Sequence, residues 1–366
     1  MYKIPRTETS MTLSVRGILH FFANVIIDEM RTDHGMEMDK LRIDIIGGGS
    51  LGLLYGGKLA FAGNKVRIWC RSTEQVLSLS TEGLHVTSKE NSKTSEVSPS
   101  IIEADILDNF TKRWEYNPAE WIFLMTKQKD VAEIGSQLLA KMDDNVLKGT
   151  KGLVCFQNGT GHIQLLDSLL PKWHIYSAIT TEGAKRLSYN EVFHAGRGVT
   201  TIGEITHRES QMGNNSRKSE NCLVHEFEKA GFVSDLSNEI VNHIYRKLLI
   251  NACINPLTAL WRIPNGELMA TQARVDMMRN LFLEGTKVYD ACGIYWDHNL
   301  WDQIVSICLS TSANTSSMLK DVLEGIPTEV NWINGSIVTM AEEKGIVANY
   351  HKSMIELIKG ISTKEE

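Results

Sequence analysis

The chain has no C-x-x-C pair, no basic run and no apolar stretch long enough to span a bilayer. Its six cysteines (70, 155, 222, 253, 292 and 308) are scattered, several inside apolar runs such as LVCF and INACI. They read as reduced core thiols, which favours a cytoplasmic protein over a disulfide scaffold. A net charge of −6 without basic clusters makes nucleic acid and an anionic membrane poor partners. No metal-ligand spacing occurs, and His162, His174, His194, His207 and His243 are separated and read as ordinary histidines. A G-x-S-x-G elbow and a Walker lysine are also missing, which removes the α/β-hydrolase and P-loop readings. The segment GILHFFANVII (17–27) is too short to cross a membrane. An acidic stretch follows it where a secretory signal would carry a small-residue cleavage site.

What is there is ordinary globular material: 366 residues, 42% hydrophobic and 22% charged. Such a length is long for one core and predicts two domains. The first 40 residues read as an extension without an assigned role, and a natural start at Met36 or Met38 is one reading of it. The remainder divides into a nucleotide-binding domain over 41–237 and a helical domain over 238–366.

LRIDIIG (41–47) reads as a buried strand, GGGSLG follows at once, and an apolar helix then runs to Gly63. KVRIWC (65–70) is a second strand after the turn Gly63-Asn64. This βαβ context is what the G-x-G-x-x-G fingerprint requires. Gly47 allows the tight turn, Gly49 lets a pyrophosphate approach, and Gly52 lets the helix pack on the sheet. Beyond the second strand, an NAD enzyme carries Asp or Glu on the ribose hydroxyls. Here Arg71-Ser72-Thr73 stands there, 24 residues past Gly47. A guanidinium can pair with a 2′-phosphate, so the reading is NADP; an exposed surface arginine beside Glu74 is the plain alternative.

WIFLMT (121–126) ends in Lys127, and GLVCF (152–156) ends in Gln157-Asn158-Gly159. Polar residues at carboxyl ends of open α/β strands face the ligand crevice, so Lys127 and Asn158 are candidates for the nicotinamide half. A solvated loop lysine is the plainer, less favoured alternative for Lys127. Further strands are predicted in HIYSAITTEGA (174–184) and VFHAGRGVTTIGE (192–204), the latter with a hairpin turn at Gly196–Gly198. MGNNSRKSEN (212–221) reads as a loop before a helix near 219–231.

Beyond residue 237 helical periodicity covers most of 239–361, broken at NPLT, IPNGE and EGIPTE. Within KLLINACIN, Lys247, Asn251 and Asn255 stand four apart and every other residue is apolar. On a helix they fall within an arc of about 80°. The stripe is either the wet edge of a buried helix or the wall of a cavity. PNGEL (264–268) places Asn265 at a helix cap, where capping alone would explain it. Ser317 lies on an apolar helix and can simply cap it, while Glu329 opens the next helix and can simply favour its dipole.

Together these residues resemble the ketopantoate reductases (2-dehydropantoate 2-reductases) from about Leu41 to Ile361. The narrowest part is YRKLLINACINPLTALWRIPNGEL (245–268), followed by SSMLKD and TEVNWING. The resemblance implies an α/β Rossmann-type domain followed by an all-helical C-terminal domain, as in the 6-phosphogluconate-dehydrogenase-like group. It implies NADPH-dependent reduction of ketopantoate to pantoate, as in pantothenate and coenzyme A biosynthesis. By resemblance, Lys247 corresponds to the general acid, with Asn251, Asn255, Asn265 and Ser317 at substrate-binding positions. Gly47, Gly48, Gly49, Ser50, Leu51, Gly52, Arg71, Lys127, Asn158, Ala184 and Glu329 correspond to cofactor contacts, Glu329 also lying near the catalytic lysine. Ser50 stands where many members carry Ala, a change expected to be harmless. The N-terminal extension has no counterpart.

The chemistry is consistent with that assignment. Hydride delivery to a 2-keto acid builds negative charge on the carbonyl oxygen, which an ammonium can stabilise and protonate. Burial would lower the pKa of Lys247, and the Glu329 carboxylate would oppose that shift. The alternatives are an NADP-dependent reductase of another small 2-keto or 3-hydroxy acid, and a non-catalytic NADP-binding redox sensor. The helical domain could also expose an apolar face for a homodimer.

Overall fold

The computed structural model describes residues 40–89, 94–142, 150–206 and 213–361. The N-terminal extension with its GILHFFANVII segment and candidate starts, and His207, lie outside them. The described residues include twelve strands, of which the first six are β1 (Arg42–Ile46), β2 (Lys65–Cys70), β3 (Leu84–Ser88), β4 (Thr94–Val97), β5 (Ile102–Ile106) and β6 (Trp121–Leu124). The remainder are β7 (Gly152–Cys155), β8 (Ile175–Thr180), β9 (Gly183–Arg186), β10 (Glu191–Gly196), β11 (Val199–Glu204) and β12 (Val233–Leu236). Eight of them form one sheet in the order β12-β11-β8-β7-β6-β1-β2-β5, parallel from β5 across to β8. β11 pairs antiparallel with β8 and so reverses direction at that edge.

Helices cover both faces of this sheet: α1 (Ser50–Phe61), α2 (Thr73–Glu82), α3 (Phe110–Tyr116), α4 (Val131–Gln137), α5 (Gly161–Leu169) and α6 (Gly213–Lys229). Strand alternation divides the core between the two faces. In β6, Trp121 and Phe123 join Leu53, Tyr55 and Phe227 on one side. Ile122 and Leu124 join Phe110, Trp114 and Leu166 on the other. The strand order reverses between β1 and β6, and the crevice outside their carboxyl ends is where such sheets take ligands.

A smaller sheet, β4-β3-β10-β9, packs beside α1. Its presence corrects one expectation. β10 pairs with β9 and β3, whereas β11 pairs with β8 and β12, so Gly196–Gly198 makes no hairpin. The chain there crosses from one sheet to the other. A side chain at Gly198 would stand 2.3 Å from the Thr181 backbone, so the crossing needs a glycine. The expected loop at 212–221 is also shorter than read: residue 212 lies outside the described residues, and α6 begins at Gly213.

The C-terminal half consists of α7 (Ile240–Trp261), α8 (Gln272–Cys292), α9 (Leu300–Ser310), α10 (Ser317–Glu324), α11 (Val330–Glu343) and α12 (Asn349–Ile361). They close around a core of Leu249, Cys253, Leu281, Tyr289 and Ile337. The expected break at NPLT is absent, and α7 runs straight through Pro256. Proline removes the hydrogen bond to the carbonyl four residues back. That carbonyl, Ala252 O, accepts instead from Asn334 Nδ2 at 3.1 Å. Asn334 Nδ2 also meets His351 Nδ1 at 3.0 Å, and His351 Nε2 bonds Leu281 O at 3.0 Å. A buried polar side chain from α11 thus repairs α7 in the middle of the apolar core. No helix among the described residues is long and apolar enough to cross a membrane.

Candidate active site

The glycine loop joins β1 to α1. Gly47 has φ +117°, and a Cβ there would lie 2.9 Å from the Met125 backbone at the end of β6. A Cβ at Gly52 would lie 1.9 Å from Gly47 O, so only glycine lets α1 start this close to the turn. At Gly49 nothing lies within 4 Å of the same position, which leaves an open face over the loop. Gly49 caps α1 without a side-chain bond, and no acidic residue occupies the first turn. The positive end of this twelve-residue helix therefore faces the opening, suited to a phosphate. Leu51 packs against the core behind the loop. Nearby, Thr126 Oγ1 and Gln157 Oε1 are buried with no hydrogen-bond partner among the described residues. They sit just beyond the ends of β6 and β7. A tight turn, an open cradle and unsatisfied polar atoms along the crevice fit a dinucleotide.

Side chains around this crevice are engaged with carboxylates. Arg71 follows β2 and pairs with Asp130 at 2.7 Å. Lys127 follows β6, and its Nζ donates to both carboxylate oxygens of Asp321 on α10, each at 2.9 Å. Asn158 follows β7 and donates through Nδ2 to Glu329 at 3.0 Å. Lys127 and Asn158 thus link the sheet half to the helical half. Gly159, with φ +87°, makes that junction tight, since a Cβ there would lie 2.3 Å from Trp332 O. Ala184 lies on β9, half-buried against the core cluster that contains the glycine-loop helix.

The stripe on α7 comes up against the end of β8. Lys247 Nζ donates to Thr180 O at 3.0 Å. Burial pushes the ammonium down to about 8, and the Glu329 carboxylate pulls it back up. Glu329 is half-buried at the N-terminal boundary of α11. One and two turns on, Asn251 is half-buried and Asn255 is 6% exposed. Among the described residues neither side-chain amide has a hydrogen-bond partner. An almost buried amide without a partner costs free energy unless a ligand or water completes it.

Asn265 and Ser317 differ from their expected local settings. Asn265 does not cap a helix; it is the first residue of a 3₁₀ turn (Asn265–Met269) whose cap position is Pro264. Its Nδ2 donates to Thr311 Oγ1 at 2.9 Å, and its buried Oδ1 has no partner among the described residues. On α10 the cap is Ser316, which accepts from Leu319 N at 3.1 Å and bonds Thr258 Oγ1 at 2.7 Å. Ser317 is the next residue, exposed at the first turn. Its hydroxyl is therefore not spent on the helix cap.

Four residues around the crevice were not singled out by sequence. Asp130 and Asp321 hold the two candidate cations. Gln75 donates through Nε2 to Gly48 O at 2.8 Å and to Tyr189 O at 2.9 Å, which ties the glycine loop to the turn after β9. Arg186, the last residue of β9, donates from its backbone N to Ser50 Oγ at 3.1 Å. The Ser50 hydroxyl thus anchors a strand beside the glycine loop. Only Asp321 had a sequence signal, since it lies in the SSMLKD motif.

The chain matches two family models, Ketopantoate reductase PanE/ApbA over residues 43–207 and its C-terminal counterpart over 239–362. The 2-dehydropantoate 2-reductase of Archaeoglobus fulgidus is 30% identical over 324 residues, covering 88% of this chain and 98% of that protein. The Bacillus subtilis enzyme of the same name is 28% identical over 325 residues, 88% and 97% of the two chains. A crystal structure of the probable 2-dehydropantoate 2-reductase from Bacillus subtilis superposes with a TM-score of 0.72 at 27% identity, covering 88% of this chain and all of that one. A D-mandelate dehydrogenase solved with NADH and anilino(oxo)acetate shares the fold, with a TM-score of 0.75 at 22% identity over 87% and 97% of the chains. With both halves of the molecule matched, the chain belongs to the ketopantoate reductase family of oxidoreductases.

Proposed function

We propose that the protein reduces 2-dehydropantoate to pantoate with NADPH, and that Lys247 is the proton donor. The observation that carries the reading is the partner set on α7: an ammonium held at about 8 beside two amides with no protein partner among the described residues. Such a wall suits a small acid that carries a carbonyl and a hydroxyl. Asn251 and Asn255 can bond the hydroxyl and the reacting oxygen without adding charge. Ser317, freed by its neighbour's cap, can donate to the carboxylate, and Asn265 can accept through its orphaned Oδ1.

NADPH supplies the hydride when bound. The residues of the chain supply position and field. Lys247 stabilises the developing alkoxide and passes a proton to it, and Thr180 O holds the ammonium in place meanwhile. Glu329 favours the charged form of Lys247 while it binds Asn158, so one carboxylate serves both halves. The glycine loop from Gly47 to Gly52 would hold the pyrophosphate, and Arg71, Lys127, Asn158 and Ala184 would line the rest of the dinucleotide. The proposed boundary between the two domains, at residue 237, lies in the link between β12, which ends at Leu236, and α7, which starts at Ile240. Free cysteines throughout suit a cytoplasmic enzyme.

A fold does not choose among 2-keto acids, since the same architecture serves a D-mandelate dehydrogenase. The 2-dehydropantoate reductases of 28–30% identity favour ketopantoate. NADPH oxidation with a panel of 2-keto acids tests the choice. Ketopantoate is expected to give the highest kcat/KM; turnover of another acid but not of ketopantoate would reassign the substrate.

A further inference from the structure

Two guanidinium groups lie near the adenosine end of the crevice, and they are in opposite states. Arg71 is committed to Asp130 at 2.7 Å. Arg186 is exposed and has no carboxylate partner among the described residues. It is nevertheless well placed. Its backbone N–H is tied to Ser50 Oγ at 3.1 Å, and its Nη1 reaches Gly48 O at 3.4 Å. A guanidinium has five N–H donors, so most remain available for an anion. The charge of Arg186 also acts on Cys70, opposing the burial that raises that thiol to about 12. Cys70 is the last residue of β2, and the end of the second strand is where a Rossmann domain meets the adenosine ribose. Arg186 therefore stands between the glycine loop and the ribose position. It shares a face of β9 with Ala184, two residues earlier.

We propose that Arg186 is a specificity-determining residue that pairs with the 2′-phosphate of NADPH, a role the sequence reading gave to Arg71 alone. The inference rests on the NADPH reading above. Arg71 must first leave Asp130 to reach a phosphate, whereas Arg186 gives up only a long bond to a carbonyl. A forked guanidinium can then grip the 2′-phosphate through two parallel N–H donors.

The test is calorimetric titration of wild type, Arg186→Gln and Arg186→Lys with ADP-ribose and with its 2′-phosphorylated form, alongside thermal melting. Neither ligand carries a nicotinamide, so turnover plays no part. Arg186→Gln is expected to weaken the 2′-phosphorylated ligand about 10- to 100-fold, the scale of a charged hydrogen-bond pair. Affinity for ADP-ribose should change less than about twofold, with Arg186→Lys intermediate and melting unaltered. Equal weakening of both ligands would place Arg186 on the pyrophosphate or in the scaffold and overturn the inference, as would a preference that survives in Arg186→Gln. Wild-type protein that binds the two ligands equally would overturn the NADPH reading itself, and this inference with it.

Discussion

The two walls of the crevice handle their polar groups in opposite ways. On the sheet side, Arg71, Lys127 and Asn158 are each held by a carboxylate: Asp130, Asp321 and Glu329. On the helical side, Asn251 and Asn255 have no partner among the described residues, although Asn255 is almost buried. The difference is one of energetic state. The proposed cofactor contacts on the sheet side would have to exchange an intramolecular partner for a ligand, so part of the gain in binding would be cancelled. The amides on α7 have no intramolecular bond among the described residues to break when a ligand arrives, so only water has to leave them. The proposed substrate wall is thus unpaired among the described residues, and the proposed cofactor wall is competitively occupied.

Lys247→Ala attacks this contrast at its centre. It should lower kcat on the order of 10²-fold or more, the scale of a lost general acid. NADPH affinity, measured by fluorescence titration, should stay within about twofold if Lys247 belongs to the substrate wall as proposed. Near-normal turnover would remove Lys247 from proton donation. Asn255→Ala is next. Its amide has no protein partner among the described residues and is proposed to meet substrate, so KM for the keto acid should rise about 3- to 10-fold while the Kd of NADPH holds. A matching loss in NADPH affinity would show that the two walls are not separable. The smallest effect is expected from Asp321→Asn, which releases Lys127. An exposed ion pair is worth little, so NADPH should bind only about two- to fivefold more tightly. Weaker binding would mean that Asp321 orients Lys127 and does not compete for it.

Legibility in the sequence followed the same division. The loop from Gly47 to Gly52 works through backbone geometry, and glycines in a βαβ frame report that geometry directly. The spacing of Lys247, Asn251 and Asn255 was likewise visible, because helical periodicity alone puts them on one face. Features that depend on distant partners were not. Nothing near Pro256 indicates that Asn334, 78 residues on, will bond the freed carbonyl and let α7 continue. The separation of β10 from β11 at Gly196–Gly198 depends on which sheet has a free edge, and strand propensity does not record that. Arg186 was passed over for a similar reason. It lies on a strand with no motif, and its link to the loop runs through Ser50, 136 residues earlier. Ser50 reads from the sequence as a glycine-loop position with a harmless Ala-to-Ser change, and the bond its hydroxyl accepts from Arg186 N exists only once β9 lies beside it.

The pH dependence of kcat/KM for ketopantoate reduction tests the central assignment most directly, because it reports the essential acid of the free enzyme. Burial has brought Lys247 down to about 8, so the proton donor is present below that pH and is lost above it. The rate should be level on the acid side of about 8 and then fall about tenfold per pH unit. A rate that stays level through about pH 10 would contradict Lys247 as the donor.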